Sequence, residues 1–71
     1  MTQMTEMELF HIEEQLRSEA VAIAKNATCA QQSTDPKLQQ MYSTIADRHR
    51  SHYETILRNV QNFVGGAYHA R

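Results

Sequence analysis

Two histidines, His49 and His52, stand three residues apart in the run Ile45-Ala46-Asp47-Arg48-His49-Arg50-Ser51-His52-Tyr53. At helical spacing both imidazoles lie on one face, about one turn apart. They occupy an apolar stripe where leucine or isoleucine would be the ordinary choice. Glu19, in the first half of the chain, falls on the matching stripe. One carboxylate and two imidazoles have two kinds of use. They can form a hydrogen-bonded layer that fixes helix register at some cost in stability. They can also hold a metal such as iron, zinc, manganese or copper. Residue types alone leave both open.

Other groups offer less. Glu13 and Glu14 read as a solvated helix face, and His11 as a surface residue. Tyr42 and Tyr53 read as packing residues, and Cys29 has no motif partner. No glycine-rich phosphate loop, nucleophile elbow or Ser/His/Asp arrangement is present, so no catalytic residue and no enzyme activity is expected.

The elements that must position these groups are two long helices. Thr5-Glu6-Met7-Glu8 has the form of a capping box, with acids favouring a helix start. Nothing then breaks a helix until about residue 32. Leu9, Ile12, Leu16, Glu19, Ile23, Asn26 and Ala30 step by alternating threes and fours, a heptad seam with two polar members. Phe10, Ala20, Val21, Ala24 and Ala27 widen the apolar face, which suits a bundle better than a two-stranded coil. Residues 33–35 form a turn, with Asp35 as helix cap and Pro36 at the first helical position. The second helix is expected over about residues 36–64. Its stripe reads Leu38, Met41 or Tyr42, Ile45, His49, His52, Ile56, Asn59 or Val60, and Phe63. Gly65-Gly66 is expected to end it, leaving a tail over residues 65–71 that is either loose or docked through Tyr68.

A short turn makes the helices antiparallel neighbours. Glu19 lies fifteen residues before Thr34 and His49 fifteen after it, with His52 one turn further. All three should meet at one level, on the order of 20 Å from the turn.

The chain has 71 residues, a net charge of −1 and a single cysteine. That makes one small domain without an internal disulfide, marginal unless stapled by a metal or by self-association. The near-neutral balance, with Lys and Arg interleaved among acids, argues against nucleic acid. No apolar run is long enough to span a membrane, and the start lacks the pattern of a signal peptide. The protein is expected to stay inside the cell that makes it.

Gln15-Leu16-x-x-Glu19, Thr34-Asp35-Pro36-x-Leu38 and His49-x-x-His52-Tyr53, in that order and spacing, resemble the small spore coat proteins related to the coat protein F family. The resemblance covers about residues 8–63. It implies a ferritin-like helical structural component of the spore coat, made in the mother cell, with other coat proteins as partners and no catalytic activity. A more distant resemblance is to the half-ferritin hairpins of encapsulated ferritins. Setting Asp35 and Leu38 on their turn puts Glu19 on a metal glutamate and His49 and His52 on a Glu-x-x-His pair. His52 matches; His49 replaces a carboxylate by an imidazole, which counts against iron oxidation through bridging carboxylates.

The resulting expectation is an all-α, ferritin-like antiparallel hairpin, a single domain over residues 1–71, that homodimerises into a four-helix bundle. Its function is expected to be structural and non-enzymatic, with a buried Glu-His layer. The alternative is a ferritin-like protein binding iron, zinc or manganese through Glu19, His49 and His52.

Overall fold

The computed structural model describes the backbone of residues 4–69 and the side chains of residues 4–64. Among these residues there are two helices and no strand: α1, Glu6–Gln32, and α2, Pro36–His69, packed against each other as a hairpin. The molecule measures 55 × 21 × 11 Å, one layer of two helices.

Each helix starts where local chemistry supplies a cap. The Glu8 backbone N–H donates to the Thr5 hydroxyl at 3.1 Å, and the Thr5 N–H donates to the Glu8 carboxylate at 2.9 Å. Two backbone donors that the helix leaves unpaired are thus satisfied reciprocally. At α2, the Lys37 N–H donates to Asp35 Oδ1 at 2.8 Å and the Gln39 N–H to the Asp35 carbonyl at 2.9 Å. Pro36 has no N–H to lose there. α1 ends with the Ser33 N–H donating to the Cys29 carbonyl at 2.9 Å. The Gln39 side chain then reaches back to the Ser33 carbonyl at 2.7 Å, bracing the turn.

α2 differs from expectation at its far end. It continues in helix through Gly65 and Gly66 to His69. Glycine lowers helix propensity by about 1 kcal/mol per residue but keeps its N–H donor, so it permits termination without enforcing it. The docking of Tyr68 falls on a side chain outside the described residues, as do Ala70 and Arg71.

The seam of α1 follows its heptad: Ile12, Leu16, Glu19, Ile23, Asn26 and Ala30 are all half-buried, while Leu9 is exposed. Asn26 satisfies its amide within its own helix, donating to the Ala22 carbonyl at 2.8 Å. The expected stripe of α2 is corrected in part: Tyr42, Ile45, His49, Ile56 and Val60 are half-buried as expected, and Ala46 and Tyr53 join them on the covered side. Leu38, Met41, His52 and Phe63 remain exposed. The apolar arc of α2 is wider than one seam. The helix is rotated so that small Ala46 lies in the contact, which lets the two backbones approach.

Ala46, at 2% exposure, is the only buried residue among those described. Met7, Phe10 and Val21 on α1 and Leu38, Met41, Leu57, Phe63 and Val64 on α2 keep large apolar surfaces in contact with solvent.

Candidate metal and polar-layer site

Glu19, His49 and His52 meet at mid-length of the hairpin. His49 Nδ1 lies 2.6 Å from Glu19 Oε1, and His52 Nδ1 lies 3.2 Å from Glu19 Oε2. One carboxylate therefore serves both rings, one oxygen each. The imidazoles stand edge to face, with centroids 5.9 Å apart at 89°. The cluster arises because the i,i+3 spacing on α2 puts both rings over the same stretch of α1.

An ionised carboxylate can only accept hydrogen bonds. In the His49–Glu19 hydrogen bond Nδ1 must therefore carry the proton, which fixes the tautomer of His49 when that ring is neutral. His52 approaches the other oxygen at 3.2 Å without hydrogen-bond geometry.

The expected buried layer is only partly covered in the hairpin: none of the three side chains is fully buried, and they differ in exposure. Glu19 is 14% exposed, His49 31% and His52 63%. His49 belongs to the inter-helix seam, whereas His52 stands on its flank. An open cleft of about 350 Å³ lies beside it, lined by Gln15, Glu19, His52, Thr55 and Ile56. Gln15 enters the sequence reading only through the Gln15-Leu16-x-x-Glu19 resemblance and Thr55 not at all, although each lies one helical turn from a cluster member. Nearby charges are matched locally: Arg17 pairs with Glu14, and Arg50 with Asp47 at 2.8 Å. Both are pairs within one turn of a helix, leaving Glu19 to the histidines.

One ligand atom from each of the three side chains lies within 4.8 Å of the others, so the group could hold a metal ion. A magnesium- or calcium-type site wants six or more oxygen ligands. Two imidazoles and a carboxylate instead match the donor preferences of zinc, copper and iron. Of the remaining candidates, His11 is exposed and stacks edge-on to Phe10 at 6.0 Å, away from the cluster. Cys29 is half-buried near the turn. No described helix is long and apolar enough to cross a membrane.

Comparison with known proteins finds no family model that matches the chain, no matching curated protein and no matching solved structure.

Proposed function

We propose that this chain is a non-enzymatic structural protein whose hairpin pairs with a second copy to make an antiparallel four-helix bundle. The observation that carries this reading is the near absence of a core among the described residues: a single buried alanine beside many exposed large apolar side chains. Two helices in one layer bury too little to offset chain ordering. A second hairpin laid face to face would supply the missing layer. The broad face, 55 by 21 Å, offers on the order of 1,000 Å², against about 800 Å² per partner in a standard stable interface.

Within such a bundle the Glu19, His49 and His52 layer sets helix register. The similarity of Gln15-Leu16-x-x-Glu19, the Thr34-Asp35-Pro36 turn and His49-x-x-His52-Tyr53 to small spore coat proteins supports a place in the coat, among other coat proteins. Two experiments test this reading. Light scattering on the purified chain should give a dimer. A tagged copy in sporulating cells should fractionate with the coat, and a copy left dispersed in the mother cell would contradict the coat assignment.

A second reading is favoured by one observation, the convergence of three donor atoms within 4.8 Å. It is that the bundle is a ferritin-like metal-binding protein for iron, zinc or manganese. A ligand that binds only the folded state stabilises it by mass action, by about 2.7 kcal/mol at a hundredfold excess over its dissociation constant. The melting temperature should then rise with added metal and fall with chelator. A metal-independent melt returns the cluster to a purely structural layer.

A further inference from the structure

The metal reading leaves open how many ions each chain takes and which atoms hold them. Both follow from the donor set. We infer that Glu19, His49 and His52 hold one zinc-class divalent ion per chain, through the Nδ1 atoms of both histidines and a Glu19 oxygen. This rests on the metal-binding reading above.

The count comes from the carboxylates. Bridged two-metal sites in helical bundles draw on a glutamate from each of several helices plus Glu-x-x-His pairs. Here the cluster contains one carboxylate, and the position that would supply the second is the imidazole of His49. One carboxylate and two neutral nitrogens hold one divalent ion. With three protein ligands the fourth position stays open, as in zinc sites built from two histidines and a glutamate. The exposure of His52 and the cleft beside it leave room there for water or a small anion.

The atoms come from the geometry. In both histidines it is Nδ1 that faces the carboxylate. Around a tetrahedral ion with bonds of about 2.0–2.1 Å, neighbouring ligand atoms sit about 3.3 Å apart. The His52 Nδ1 to Glu19 Oε2 separation of 3.2 Å has that value, whereas His49 Nδ1 lies 2.6 Å from the other oxygen, Oε1, so loading reorients the Glu19 carboxylate and the His49 ring to bring both nitrogens around one ion. The three donors start within 4.8 Å of one another.

Loading exchanges hydrogen bonds for metal bonds. The His49 Nδ1–H···Oε1 hydrogen bond and the His52–Glu19 contact give way, and each Nδ1 lone pair and one Glu19 oxygen bind the ion. In a neutral ring the displaced proton is replaced by one at Nε2 through solvent, so the ring's proton count is unchanged. No electron is transferred.

The test uses the full chain with zinc, and with cobalt(II) as its spectroscopic substitute. Elemental analysis should give one ion per chain, and the cobalt absorption should have the intensity of a tetrahedral site. Long-range proton–nitrogen NMR of the histidines should show zinc at Nδ1 and the proton at Nε2 for His49 and His52, with His11 unchanged. Removing a ligand in Glu19→Ala should weaken zinc binding beyond the roughly 100-fold reached by outer-shell partners. His11→Ala should leave it unaltered. Circular dichroism of each variant without metal shows whether it still folds. Zinc bound at Nε2, or two bridged ions per chain, would overturn this inference while leaving the metal reading intact. Absence of any metal uptake by the folded wild type would remove both.

Discussion

His49 and His52 are the same residue type, one helical turn apart, held by the same carboxylate, and yet they belong to different surfaces. His49 lies in the seam with Tyr42, Ala46, Tyr53 and Val60, where α2 meets α1. His52 lies on the flank with Met41 and Phe63, facing solvent. The difference shows that α2 carries more apolar surface than one partner helix can cover. The seam accounts for the hairpin. The flank is the surplus, and it calls for a neighbour that the isolated hairpin lacks.

Breaking the flank should have the largest effect. Met41→Glu combined with Phe63→Glu places charge on side chains that are 44% and 37% exposed in the hairpin. In the dimer they would be desolvated. The pair should weaken dimerisation by more than about 4 kcal/mol, roughly a thousandfold in the dissociation constant. Sedimentation measures this directly, and an unchanged dimer would place the interface elsewhere.

The seam comes next. Ala46→Leu inserts a larger side chain at the one position that is buried among the described residues and should cost about 1–3 kcal/mol by overpacking, read from denaturant unfolding. The cluster then sharpens the comparison between its two histidines. Glu19→Ala leaves His49 half-buried without its partner and should cost about 1 kcal/mol or more. His52→Ala, on the exposed flank of the hairpin, should change stability by less than Glu19→Ala does. A His52 penalty as large as that of Glu19 would place the ring inside the second interface.

A separate effect lies far from both surfaces. Thr5→Ala removes the α1 cap and should cost about 1 kcal/mol or less. The backbone N–H of Thr5, and then its hydroxyl, hold the Glu8 carboxyl below its usual value of 4.5. A depressed folded value means this contribution is present above the unfolded value and fades as pH falls through the folded one. Thermal melts taken downward from pH 5 should show that loss in the wild type and a flatter profile in Glu8→Gln, which removes the titrating carboxyl.

Much of this was legible in the sequence because it depends on local chemistry. Thr5 with Glu8, and Asp35 with Pro36, name helix starts whose capping bonds span two or three residues. The convergence of Glu19 with His49 and His52 follows from counting equal distances from one short turn. The rotation of α2 was not legible. Tyr42 and Met41, or Tyr53 and His52, differ by one position on an arc that is apolar across its whole width, and periodicity cannot choose between them. The choice depends on how closely the backbones approach, which small Ala46 decides only once both helices are in place. The continuation of α2 past Gly65 was hidden for a similar reason: glycine offers a stop, and the helix did not take it.

The most direct test of the account is the solution mass of the purified, untagged chain, measured by light scattering with chelator present and with zinc added. The account predicts twice the 8.2 kDa chain mass under both conditions, because the apolar flank rather than the metal drives pairing. A stably folded, helical 8.2 kDa monomer at micromolar concentration would contradict it.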